Sequence, residues 1–85
     1  MYQIVFTRSA DKALRTIPRD LARRIRERLD AIAADPYGDH PHVTKLQNRS
    51  GYRLRVGDWR VIYEIENDRL LIVVLRIATR GEVYR

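Results

Sequence analysis

Arg53, Arg55 and Arg60 fall within eight residues, and Arg76 and Arg80 follow them toward the C-terminus. An arginine carries a planar, permanently charged fork that meets phosphate oxygens in two-point contacts and stacks on bases. Like charges opposed on neighbouring strands are destabilising, so a cluster of this kind points to an anion. Attack at phosphorus puts negative charge on the non-bridging oxygens, and cations fixed in advance around them supply much of a rate enhancement. These residue types suit phosphate-ester chemistry, or phosphate binding without chemistry. Other chemistries find little material. The chain has no cysteine, which excludes a disulfide scaffold, a thiolate metal site and a cysteine nucleophile. Its two histidines sit in Asp39-His40-Pro41-His42, which has no matching ligand cluster elsewhere and reads as a surface loop. No nucleotide loop, Ser/His/Asp set or paired-carboxylate site stands out, so neither a metal nor a cofactor is expected.

The charge balance agrees. Seventeen basic residues, fifteen of them arginine, face eleven acidic ones for a net +6. Residues 43–85 hold nine basic and five acidic side chains (+4), and residues 1–42 hold eight and six (+2). The excess points to a polyanionic partner, nucleic acid foremost, although an acidic protein surface would satisfy the same charge. Eighty-five residues, 45% of them hydrophobic, suit a single domain over 1–85. The longest apolar run, Leu70 to Leu75, is far short of the ~20 residues of a membrane span. Met1-Tyr2-Gln3-Ile4 lacks the basic lead of a signal peptide, so a cytoplasmic protein without a membrane partner is expected.

The elements that position the arginines follow from spacing. Tyr2 to Phe6 reads as an edge strand with Tyr2, Ile4 and Phe6 on one face. Ser9 is a plausible N-cap for a first helix carrying Ala10, Ala13 and Leu14, and Pro18 suits the first turn of a second. In that second helix Leu21, Ile25, Leu29 and Ile32 form an apolar stripe, with Arg19, Arg23, Arg24, Arg26 and Arg28 off it. Asp35-Pro36 ends it, and a Pro/Gly-rich loop runs to Pro41. Gly51 to Val56, Trp59 to Glu66 and Arg69 to Ala78 are β-rich runs joined by the hairpin signals Gly57-Asp58 and Asn67-Asp68. The expected class is α+β: one edge strand, two helices, then an antiparallel meander (β-α-α-β-β-β), with the helices covering one face and the other left open.

Parity assigns the faces. Tyr52, Leu54 and Val56 point inward with Val61, Tyr63 and Ile65, and Leu71, Val73, Leu75 and Ile77 read as core in the last strand. Arg53, Arg55, Arg60 and Arg76 then share the open face, with Arg80 at the strand's end. Trp59, Tyr52 and Tyr63 read as packing residues, and Tyr37 as part of the loop.

The segment Tyr52-Arg53-Leu54-Arg55-Val56-Gly57-Asp58-Trp59-Arg60-Val61-Ile62-Tyr63-Glu64-Ile65 resembles the central hairpin of RelE-type toxins in the RelE/ParE toxin superfamily. The tail Arg80-Gly81-Glu82-Val83-Tyr84-Arg85 resembles that family's C-terminal signature. The start Phe6…Ala10…Lys12…Leu14, the second helix, and Asp35-Pro36 ahead of Lys45-Leu46 also agree. The resemblance spans nearly the whole chain. It implies a toxin held by an adjacently encoded antitoxin in a heteromeric complex, cutting messenger RNA in the ribosomal A site without a metal. The RNA 2′-hydroxyl would attack the neighbouring phosphodiester, leaving a cyclic or 3′-phosphate and a 5′-hydroxyl.

Carried over by position, Arg60 matches the arginine that holds the scissile phosphate, Arg80 the one near the leaving group, and Tyr84 the tyrosine that orients the RNA. Arg53 and Arg55 stand where well-known RelE enzymes have lysines, and Thr79 where many relatives have histidine. Lys45, Arg76 and Arg85 complete the expected RNA contacts. Since arginine stays protonated, and the His40/His42 loop is not assigned to the open face, no titrating group is expected beside the phosphate. Two other readings share this frame: a ParE-like protein that inhibits DNA gyrase without catalysis, and an RNA-binding module with weak or no chemistry.

Overall fold

A computed structural model gives the architecture of this chain and describes residues 1–81. Seven elements follow one another: β1 (Gln3–Phe6), α1 (Arg8–Thr16), α2 (Arg19–Ala34), β2 (Val43–Lys45), β3 (Tyr52–Val56), β4 (Trp59–Glu66) and β5 (Leu71–Thr79). The class is α+β. The strands make one five-stranded sheet in the order β1-β5-β4-β3-β2. The meander β3-β4-β5 is antiparallel as expected, and β1 joins its edge parallel to β5, with Ile4 opposite Ile72. β2 is a strand that the alternation does not reveal. Three residues are too few to show a period, and β2 exists because its backbone pairs with β3, Val43 opposite Leu54.

α2 uses its apolar stripe as read: Ile25, Leu29 and Ile32 are buried against the sheet and Leu21 packs beside them. Asp35 caps its C-terminus. Pro18 stands at the N-cap position rather than inside the first turn. The cap of α1 is Thr7, not Ser9, because the chain turns directly out of β1; the Thr7 hydroxyl accepts from the Ala10 N–H at 3.2 Å. That hydroxyl also donates to the Leu75 carbonyl at 2.8 Å, tying the start of the helix to the middle of β5.

Leu75 is where the expected core of β5 changes. Tyr63 pairs with Val74 and Ile62 with Arg76, so Leu75 is an extra residue, a β-bulge. Upstream of it the core side chains are Ile72 and Val74 rather than Leu71, Val73 and Leu75, and downstream Ile77 is core as expected. The bulge lets both sets face the helices, and it keeps Arg76 on the open face. The β4–β5 connection also differs, being the four residues 67–70 with Leu70 at φ 54° instead of a two-residue turn. Gly51 closes the β2–β3 connection at φ 111°, where an added Cβ would lie 2.9 Å from the Tyr63 carbonyl oxygen. Tyr63 is the largest fully buried side chain and stacks on Tyr52 at 5.4 Å between ring centroids; burial, then the Tyr52 phenol, pushes its pKa up to about 12.

Candidate functional site

The helices cover one face of the sheet, and the other face carries the arginines. The two-residue turn at Gly57-Asp58 places Arg55 directly opposite Arg60 across the β3–β4 ladder. One row further along, Thr44, Arg53, Ile62 and Arg76 are successive cross-strand neighbours over β2, β3, β4 and β5. Arg53, Arg55, Arg60 and Arg80 line a single concavity of about 470 Å³ together with His42 and Thr44, and its described lining contains no carboxylate. Four positive charges around one hollow suit an anion with several oxygens, such as a phosphate.

Two of the guanidinium groups, those of Arg55 and Arg60, are held by hydrogen bonds. Arg60 donates through Nη1 to the carbonyls of Gly57 and Trp59, both at 3.0 Å, so the turn that aligns the hairpin also aims its arginine. The Arg80 N–H donates to the Asp58 carbonyl at 2.9 Å, which anchors the end of β5 to the same turn. Arg55 donates through Nη2 to Nδ1 of His42 at 2.9 Å, while the Arg55 N–H donates to the His42 carbonyl, also at 2.9 Å. An arginine has no lone pair to offer, so Nδ1 is the acceptor and the imidazole proton sits on Nε2.

His42 is the site residue that sequence reasoning assigns elsewhere. It was expected in a surface loop away from the arginines; instead it lines their concavity and adopts φ 67°, a left-handed conformation uncommon for a side-chain-bearing residue. Its place follows from β2, whose pairing with β3 carries the preceding residue over the open face. His40, two positions away, points into its own loop, where Nε2 donates to the Asp35 carbonyl at 2.6 Å. Arg24 and Arg28, one turn apart on α2, line an adjoining concavity of about 460 Å³ that shares His42, Arg55, Arg60 and Arg80 with the first. The only sequence signal for them is their i,i+4 spacing on the polar side of α2.

The remaining expected residues divide. Arg76 stands exposed on the open face beside Ile62 but does not line the arginine concavity. Lys45 pairs with Tyr52, on the opposite parity, and lines a neighbouring groove with Arg49 and Arg53. Tyr84 and Arg85 lie outside the described residues. Among the described residues no three His, Asp or Glu side chains gather where a metal ion could be held, and no helix is long and apolar enough to cross a membrane.

Comparison with known proteins adds a family and a fold. A family model described as ParE toxin of type II toxin–antitoxin system, parDE, matches residues 4–84. The archaeal RelE–RelB complex from Pyrococcus horikoshii contains a chain 31% identical to this one, aligned over 95% of this chain and 97% of that chain with a TM-score of 0.78. The isolated RelE toxin of E. coli is 20% identical over 99% of this chain and 92% of that chain, at a TM-score of 0.70. A YoeB/ParE toxin from Agrobacterium tumefaciens is 13% identical over 92% and 98%, at 0.79. These last two likenesses are of fold. Comparison with curated proteins finds no match.

Proposed function

We propose that this chain, which belongs to the ParE toxin family of type II toxin–antitoxin systems within the RelE/ParE superfamily, is a RelE-like endoribonuclease that cleaves messenger RNA on the ribosome. The observation that carries this reading is the convergence of Arg53, Arg55, Arg60 and Arg80 on one hollow without a carboxylate in its described lining. A DNA- or protein-binding surface needs positive charge, but it does not need four guanidiniums focused on a volume the size of a phosphodiester and its neighbours. As the RNA 2′-hydroxyl attacks the adjacent phosphorus, negative charge grows on the non-bridging oxygens, where the guanidiniums stabilise it. Arg60, held by two carbonyls, sits against the scissile phosphate, and Arg80, anchored to the hairpin turn, lies toward the leaving oxygen. Arg53 and Arg55 flank them. Tyr84 orients the RNA, and Lys45, Arg76 and Arg85 contact its backbone. The ribosome contributes alignment of the 2′-oxygen with the leaving group, an orientation effect the small open site does not supply alone.

An antitoxin is the expected protein partner, since the 31%-identical chain from Pyrococcus horikoshii is part of an archaeal RelE–RelB complex. We place its inhibitory segment over the arginine face, where it blocks RNA. The match to a model described as a ParE toxin favours a second reading, binding and inhibition of DNA gyrase without catalysis. Induction of the chain in cells, with 5′ ends of messenger RNA mapped across the transcriptome, separates the two. Cuts phased with codons support the ribonuclease. Intact messages accompanied by DNA-damage signalling overturn it in favour of the gyrase reading.

A further inference from the structure

We infer that His42 is the proton acceptor of the cleavage reaction, taking the proton of the attacking 2′-hydroxyl on Nδ1. The inference rests on the ribonuclease reading above and deepens it. Of the six described residues that line the arginine concavity, four are arginines and one is a threonine. Arginine stays protonated in proteins, and a threonine hydroxyl is no base near neutrality. His42 therefore holds the one side-chain nitrogen lone pair among those lining groups.

The geometry keeps that lone pair ready. With Arg55 Nη2 donating to it at 2.9 Å, Nδ1 of this exposed ring is unprotonated and turned toward the Arg55 guanidinium. The backbone fixes the ring from the other side: His42 is held at φ 67°, and its carbonyl accepts the Arg55 N–H. A phosphate binding between the arginines recruits the Arg55 guanidinium, which releases Nδ1 to the nearby 2′-hydroxyl. In the step itself the 2′-oxygen forms a bond to phosphorus as its proton passes to Nδ1. The phosphorus–5′-oxygen bond breaks with its electron pair on the 5′-oxygen, which takes a proton from water. The products are a 2′,3′-cyclic phosphate and a 5′-hydroxyl, and the imidazolium returns its proton to solvent. The charged groups around the ring are Arg53 and Arg55 from β3, Arg60 from β4, Arg80 after β5, Arg24 and Arg28 from α2, and Asp58 from the hairpin turn.

Single-turnover cleavage of ribosome-bound messenger RNA by the purified chain, followed from about pH 5 to 8.5, tests this. The wild-type rate should climb with pH and then level off. His42→Ala should be slower by ~10²–10⁴-fold and lose the climb, the usual contribution of general acid–base catalysis. His42→Gln retains an acceptor for Arg55 and so preserves the pocket, and it should be equally slow. Added imidazole should restore part of the His42→Ala rate, which a merely structural role for the ring would not allow. His40→Ala should behave as wild type. A pH limb that persists in His42→Gln, or a rate within about threefold of wild type, overturns the inference and leaves the ribonuclease reading standing. A wild-type chain that cleaves no RNA on or off the ribosome overturns both.

Discussion

Arg60 shows how a single residue is prepared before any substrate arrives. Its guanidinium is tethered to the carbonyls of Gly57 in the turn and Trp59 at the start of β4, so an oxyanion developing beside it would be stabilised with little reorganisation. Arg60→Ala should slow cleavage by two to three decades, ~3–4 kcal/mol of transition-state stabilisation, with circular dichroism unchanged. Arg60→Lys should recover only part of this, because an ammonium keeps the charge but not the planar fork. Full activity in a folded Arg60→Ala protein would place the phosphate elsewhere. Tyr63 is prepared differently, by exclusion from water. Its phenol ionises at about 12 in the folded chain against 10.0 for an ordinary tyrosine, so the unfolded state loses its proton first. The stability that Tyr63 contributes is therefore intact below pH 10 and falls as pH rises toward about 12. Urea unfolding across that range should show the decline, and Tyr63→Phe should make it shallower. An identical decline in the phenylalanine variant would assign it to other groups.

Among the elements, β5 has the most demanding position, since it pairs with β1 on one side and β4 on the other while packing against α1. Its bulge at Leu75 lets Ile72, Val74 and Ile77 all reach the core. The Thr7 hydroxyl serves two of these elements at once, accepting from Ala10 and donating to Leu75. Thr7→Ala should lose both the helix cap and the partner of a strand carbonyl, at a cost of ~1–2 kcal/mol in urea unfolding. Thr7→Ser, which keeps the oxygen, should stay near wild type. If alanine and serine unfold alike, the hydroxyl is not what joins α1 to the bulge.

For the whole molecule the decisive property is where the +6 net charge gathers. The arginine concavity on the sheet continues around the β3–β4 turn to Arg24 and Arg28 on α2, making one basic track from the open face to the helix layer. A single-stranded RNA laid along it would release about 0.7 counterion for each phosphate neutralised. Replacing Arg24 and Arg28 together by alanine should weaken RNA binding similarly for all sequences and reduce the slope of log affinity against log salt by about 1.4. An unchanged slope would confine the nucleic acid to the sheet.

Much of this protein was written locally. The stripe of α2 and the pairing of Arg55 with Arg60 are legible because a helix repeats every few residues and a two-residue turn sets its own register. The outward parity of Arg53, Arg55 and Arg60, and with it the positive charge of the open face, needs nothing beyond strand alternation. The core of β5 was not legible. Leu70 to Leu75 is apolar at every position, so alternation carries no information there, and a bulge is a relation between two strands rather than a property of one. β2 was invisible for a related reason: Val43–Lys45 becomes a strand only when β3 offers its edge. With that pairing came the place of His42, thirteen residues from Arg55 in the chain but 2.9 Å from its guanidinium. Sequence alone determined which residue types line the open face. Only the tertiary structure, by bringing a loop and a helix up to the hairpin, decided that a histidine lines the same hollow and that two further arginines line the one adjoining it.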